Sequence, residues 1–184
     1  MKKLALLAGG AGWLGRRLLA ALVEGLPELP ELAVPFHGAV RCLVRNDQER
    51  ELVRRVTGEA ECVRGDLRHA DSLADFARGA GGATLFNCAG IIHPRRVREL
   101  YQVNVEGTRN LLQQAARAGV GRFVHFSSIS PFGYHPDPDH RFDESSPNKP
   151  YMSYGRSKEQ AELLVAGAGA RGELETAIVR PPWF

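Results

Sequence analysis

Gly9, Gly12 and Gly15 stand three residues apart in residues 4–19, LALLAGGAGWLGRRLL, and no other feature limits the fold of this chain as tightly. Residues 4–8 form a short apolar run, the glycines turn the chain, and Leu14, Leu18 and Leu22 then fall on one helical face. Gly10, Gly12 and Gly15 also satisfy GxGxxG. In a strand–turn–helix of this kind one glycine makes the sharp turn and one lets backbone N–H groups approach a pyrophosphate. The third lets the helix pack closely on the strand. The helix start then offers unpaired donors and a partial positive charge to an anion. The segment therefore predicts a dinucleotide site at Gly9, Gly12, Trp13, Leu14 and Gly15.

The rest of the chain alternates in the same manner. Residues 25–38, GLPELPELAVPFHG, read as a proline-rich connection, followed by a second strand over 39–44. Asn46 or Asp47 caps a helix running to about Val56, with Leu52, Val53 and Val56 facing in. A third strand at 61–63 leads to Gly65, Asp66 and Leu67, and Asp71 or Ser72 caps a helix carrying Leu73, Phe76 and Ala77. Strand four covers 83–87. A long helix spans 96–118, with Val97, Leu100, Val103, Leu111, Leu112 and Ala115 among its apolar positions. Strand five is 122–126, a loop covers 133–150, a helix covers 153–166, and strand six covers 173–179.

Strands and helices in strict alternation predict an α/β fold, a doubly wound parallel sheet of the Rossmann kind, as one domain over residues 1–184. Ligands of such sheets bind beyond the carboxyl ends of the strands. The glycine turn, Arg45, Asp66, Ala89, Gly90, Ser128 and Pro181 all fall at or just past those ends.

Composition narrows the partners. The net charge is +3, and the arginines are scattered rather than gathered into a tail or stripe, so the chain does not read as a nucleic-acid binder. Lys2 and Lys3 followed by LALLA imitate a signal peptide, but the apolar run stops at Gly9. No segment approaches the length of a membrane span. Cys42, Cys62 and Cys88 lack CxxC spacing and read as buried thiols of a cytoplasmic protein. His135 and His140, with Asp137, Asp139, Asp143 and Glu144, lie in a proline-broken loop without ligand spacing and read as solvated, leaving no metal site.

The chemistry-bearing stretch is YGRSK, which puts Tyr154 and Lys158 at i and i+4 on one helix face. A phenol with pKa near ~10 is a poor base at neutral pH. A neighbouring ammonium favours the phenolate and lowers that value. The same Lys158 can reach the hydroxyls of a nicotinamide ribose. Ser128 ends strand five and can hold a substrate hydroxyl or carbonyl against Tyr154. Such a set suits proton transfer coupled to hydride transfer.

Taken with these motifs, the chain resembles the N-terminal part of an extended short-chain dehydrogenase/reductase, in the NAD-dependent epimerase/dehydratase and 3β-hydroxysteroid dehydrogenase group. The pieces that carry the resemblance are AGGAGWLG, GDL at 65–67, NCAG at 87–90, VNVEGTRNLL at 103–112, FVHFSSISPFG at 123–133, YGRSK at 154–158 and the terminal VRPPWF. It implies that Ser128, Tyr154 and Lys158 are catalytic. It also implies that Asp66 and Leu67 contact adenine, that Ala89 and Gly90 lie along the cofactor, and that Pro181 sits near the nicotinamide. Asn104 matches a recurrent helix asparagine, with a structural role as the competing reading. Homodimerisation through the 96–118 and 153–166 helices is a further implication. Members of the group continue past this point with a segment that forms the substrate pocket, so the resemblance reads this chain as a truncated form.

NAD-preferring Rossmann sites usually carry an acid at the end of strand two, facing the ribose 2′-hydroxyl. Here that position is Val44 followed by Arg45, and an Arg can pair with a 2′-phosphate. The reading leans to NADP over NAD. The substrate is a small molecule: a nucleotide sugar, a steroid or a related carbonyl compound. A non-catalytic dinucleotide sensor and a structural subunit remain as alternatives.

Overall fold

The computed structural model describes residues 3–137 and 139–182; Trp183 and Phe184 of the terminal motif lie outside the described residues. Six parallel strands make one sheet: β1 (Lys3–Ala8), β2 (Gly38–Val44), β3 (Glu61–Arg64), β4 (Thr84–Asn87), β5 (Arg122–Phe126) and β6 (Glu175–Val179). Their order is β3-β2-β1-β4-β5-β6, so the chain reverses its direction of travel between β1 and β4. This is the doubly wound Rossmann fold. Crevices of such sheets open at that reversal.

β1 is apolar on both faces because both are covered. Leu6 and Ala8 join the cluster that also holds Leu85, Phe123, Leu111 and Val165. Ala5 and Leu7 join the opposite cluster with Leu19, Cys42, Val44 and Val53. Near-continuous apolar runs are what a sheet buried on both sides requires. Helices α1 (Trp13–Glu24) and α2 (Asp47–Arg54) contribute Leu19 and Val53 to the second cluster. On α1, Gly15 and Leu19 form the buried line, while Leu14, Leu18 and Leu22 are only half-buried.

The other face carries α3 (Ala74–Ala77), α4 (Arg98–Leu100), α5 (Gly107–Arg117) and α6 (Ser153–Ala170). The helix expected over 96–118 is interrupted. Residues Tyr101–Glu106 wind as a π turn, closed by the Gly107 N–H on the Gln102 carbonyl. Val97, counted among the apolar positions of that helix, is 55% exposed and stands at the N-cap of α4, ahead of its first turn. Neither Asp71 nor Ser72 caps a helix: a 3-10 turn at Ala70–Leu73 precedes α3, and no capping side-chain bond is made. Asn46 does cap α2, accepting from the Glu49 N–H at 2.9 Å.

The π turn has a visible function in the packing. Asn104, buried within it, accepts from the Ile91 N–H (2.9 Å) and donates to the Ile91 carbonyl (3.0 Å) and to Ser157 Oγ (3.0 Å). One side chain thus ties the loop after β4 to α6. Further along, Asn110 donates to the Leu67 carbonyl (2.8 Å) and Gln114 to the Ala70 carbonyl (3.2 Å), fixing the loop after β3. No helix among the described residues is long and apolar enough to cross a membrane. Truncating Asn104→Ala strands buried partners on two elements, so urea unfolding should show a loss of about 2–4 kcal/mol. A loss below about 0.5 kcal/mol would remove Asn104 from this bracing role.

Candidate functional site

The crevice at the carboxyl ends of the strands begins with the glycine turn. Gly9 has φ 83°, and a Cβ there would stand 2.5 Å from the Ala89 nitrogen. A Cβ on Gly15 would collide with the Gly9 carbonyl, so α1 lies directly on the turn. Gly12 is different. An added Cβ meets only the Gly9 carbonyl, at 3.2 Å, so its outer side is open to the crevice. Gly12 is also the N-cap of α1, with no capping side chain and no acid in the first turn. The N-cap therefore offers no side chain of its own to the N–H groups of the first turn, which fits the pyrophosphate of a dinucleotide.

Two clefts run from this turn. Both are lined by Gly12, Cys88, Ala89 and Gly90. The first extends over β2 and β3 and brings together Gly9, Arg45, Asp66 and Leu67, with Glu49 and Arg68. The second extends over β5 and β6 and brings together Trp13, Leu14, Gly15, Ser128, Tyr154, Lys158 and Pro181, with Ile92, Phe126 and Ser127. Every site residue expected from the sequence lines one cleft or the other.

In the first cleft the charges are paired. Arg68 reaches Asp66 Oδ2 through Nη2 at 2.6 Å and Oδ1 through Nε at 3.0 Å, and this arginine holds the Asp66 carboxyl below its usual range. Ser72, rather than capping a helix, accepts from the Asp66 N–H (2.9 Å) and donates to the His69 carbonyl (2.7 Å). Arg45 is likewise engaged by Glu49, a residue the glycine-and-strand reading passes over. Two signals in the sequence mark it: it stands four residues after Arg45 and three after the Asn46 cap.

In the second cleft Lys158 is 4% exposed and donates from Nζ to the Phe126 carbonyl at 2.8 Å. Burial pulls its ammonium down to about 8, with the Glu162 carboxylate opposing that shift. Glu162 is itself held by Arg180 at 2.9 and 2.7 Å. Tyr154 departs from expectation: burial raises its phenol, and the hydrogen bond from Ser128 opposes this only partly. The expected lowering by Lys158 is not seen, since the ammonium points to the Phe126 carbonyl. Ser128 also shares a hydrogen bond with Ser130 Oγ at 2.9 Å, a partner the sequence reading did not select.

Beneath these residues lies a buried polar set. His125 Nδ1 meets Asn87 Nδ2 at 3.2 Å, and burial keeps this imidazole neutral by lowering its pKa well below the ordinary value. Of the thiols, Cys42 is buried and Cys62 and Cys88 are half-buried; burial raises Cys42 and Cys88 to about 12, which leaves them unreactive. His135 and His140 stack on each other at 3.7 Å, and no group of three metal-ligating side chains occurs among the described residues.

The profile of the NAD dependent epimerase/dehydratase family matches residues 5–183. The chain is similar to an uncharacterized protein of Sinorhizobium fredii, 46% identical over 184 residues, covering 98% of this chain and 50% of that relative. It is similar to the 4-hydroxy-2-methyl-3-oxo-4-farnesyl-3,4-dihydroquinoline-1-oxide ketoreductase of Stigmatella aurantiaca, 34% identical over 177 residues, covering 94% of this chain and 48% of that relative. Among solved structures it is similar to DesIV, a dTDP-glucose 4,6-dehydratase from Streptomyces venezuelae with NAD and TYD bound. That match has a TM-score of 0.76 at 30% identity and covers 96% of this chain and 55% of the other. The chain spans about half the length of the curated relatives it matches.

The buried ammonium has a consequence for stability. Below about pH 8 Lys158 is charged in both the folded and the unfolded states, and its burial is a cost. Between about 8 and the ordinary value of 10.5 the folded chain has released this proton and the unfolded chain has not, so stability rises with pH. Lys158→Met removes that slope. Thermal unfolding should show the wild type gaining on the variant across this window; parallel curves would refute a desolvated ammonium.

Proposed function

This chain belongs to the NAD dependent epimerase/dehydratase family, within the extended short-chain dehydrogenases/reductases, and from that premise we propose that it is the dinucleotide-binding, catalytic half of a nicotinamide-dependent oxidoreductase or epimerase. The substrate class is a small molecule bearing a secondary hydroxyl or a carbonyl. The observation that carries this reading is the convergence of Ser128, Tyr154 and Lys158 in the cleft that begins at the open side of Gly12.

Gly12 and the first turn of α1 would hold the pyrophosphate, Asp66 and Leu67 the adenine, and Ala89, Gly90 and Pro181 the nicotinamide half, which when bound would supply or accept the hydride. In the reducing direction Tyr154 gives its phenolic proton to the carbonyl oxygen, while Ser128 donates a hydrogen bond to the same oxygen. In the oxidising direction Tyr154 removes that proton. The raised phenol suits Tyr154 to rest as the acid, and the Ser128 hydrogen bond is the contact that favours the phenolate once it forms. Lys158 holds the ribose through its remaining donors. A pure sensor would have no use for this set. Three free thiols suit a reducing, cytoplasmic setting.

Reduced dinucleotide should bind saturably to this chain in calorimetry, and Gly12→Asp should abolish that binding by placing a carboxylate against the phosphates. Tyr154→Phe should leave dinucleotide affinity within about two-fold while lowering carbonyl reduction by about a hundred-fold or more. Unchanged turnover in Tyr154→Phe would overturn the catalytic assignment. Absence of dinucleotide binding in the wild type would overturn the reading as a whole.

A further inference from the structure

Tyr154, Lys158 and Glu162 follow one another at intervals of four on α6, so they share one face of that helix. Lys158 and Glu162 are both buried, 4% and 3% exposed. The Lys158 ammonium turns to the Phe126 carbonyl at 2.8 Å, and the Glu162 carboxylate turns to the end of β6. There Arg180 donates from Nε to Oε1 at 2.9 Å and from Nη2 to Oε2 at 2.7 Å. A carboxylate buried this deeply without a partner gives up either its charge or its place. Two guanidinium bonds, one to each oxygen, prevent both.

Arg180 is held in its turn. Its guanidinium lies over the Phe132 ring at 5.0 Å. Phe132 ends the 3-10 turn that begins at Ser130, and the Ser130 hydroxyl shares a hydrogen bond with Ser128. One guanidinium therefore touches both the helix that carries Tyr154 and Lys158 and the turn that carries the partner of Ser128.

We propose that Glu162 and Arg180 are positioning residues that keep Lys158 charged at neutral pH, the carboxylate supplying the opposing charge and the guanidinium keeping that carboxylate ionised and in place. The proposal rests on the reading of Ser128, Tyr154 and Lys158 as the reactive set. Besides the shared helix face, the company of Lys158 supports it. Burial raises the Tyr154 phenol on the same helix and pushes the Cys88 thiol, just past β4, up to about 12. Burial also keeps the His125 imidazole on β5 neutral. None of these carries a charge near pH 8, so Glu162 is the negative charge that acts on Lys158 among the described residues. Without it, the same burial would leave an amine at neutral pH, and an amine gives up charge-assisted donation to a ribose.

The test is the titration of Lys158 itself, followed by NMR of the chain carrying isotope-labelled lysine. Lys2, Lys3 and Lys149 share the spectrum, and Lys158→Met identifies the remaining signal. The wild-type midpoint should fall at about 8. Glu162→Gln should lower it by about one pH unit or more. Arg180→Met should lower it similarly, Arg180→Lys should recover most of the loss, and the double variant Glu162→Gln, Arg180→Met should go no lower than either single one. NADH affinity should follow in calorimetry, with Glu162→Gln about three-fold weaker than wild type near pH ~7.5 and equal to it near pH ~5.5. An unchanged midpoint in folded Glu162→Gln or folded Arg180→Met would overturn the proposal. So would a wild-type midpoint below about 7, whether or not the variants fold. Midpoints that move while NADH affinity stays level with pH would support the charge control and remove the ribose contact assigned to Lys158.

Discussion

The site depends on how closely two pieces of backbone can approach. Neither Gly9 nor Gly15 has room for a single methyl group: one abuts the backbone of Ala89, the other the carbonyl of Gly9. That contact sets the start of α1 over the gap between β1 and β4, where the strand order reverses. Two clefts diverge from this point because the loops after β2 and β3 fall on one side and those after β5 and β6 on the other. Local chain geometry at three residues thus decides where an extended ligand can lie. The ends of the sheet decide what it meets.

The second determinant is buried polar bonding. Asn104 holds Ile91 and Ser157 together, and Ser157 is adjacent to Lys158 and donates to the Tyr154 carbonyl at 2.7 Å. Lys158 is then aimed at the end of β5, onto the Phe126 carbonyl. The Glu162–Arg180 pair fastens the same helix to the end of β6, beside Pro181, and Phe132 lies under the Arg180 guanidinium at 5.0 Å. Buried groups of this kind are costly unless satisfied, so their mutual satisfaction fixes α6 in rotation as well as in place.

Much of this was legible in the sequence, and the reason is periodicity. Strand five was read at residues 122–126 and found there, because RFVHF is bounded by glycine on one side and serines on the other. The glycine turn and the i, i+4 pair on α6 were visible because their spacing is the geometry. What was not legible depends on rotation and on partners distant in sequence. Arg45 was visible as a cation, but its neutralisation by Glu49 depends on how α2 leaves the strand. Ser72 had the composition of a helix cap, yet a loop six residues earlier claimed its hydroxyl. The lysine–phenol pair was read from its spacing, whereas the ammonium is taken up by a carbonyl at the end of β5.

The π turn carries one residue more than an α-helix needs over the same rise. Loss of any one residue within Tyr101–Glu106 would let the backbone close as ordinary helix, with α5 undisturbed on its side. The flanking residues would keep their facing, because the wide turn is what absorbs the extra residue, and only the side chains within it would be re-aimed. Asn104 would leave Ile91, and the wall of the crevice would lose its anchor while the core kept its contacts. The fold tolerates what the site does not. A one-residue length change in this segment, invisible to hydrophobic patterning, is therefore a place where lineages built on the same sheet can part in function without parting in architecture.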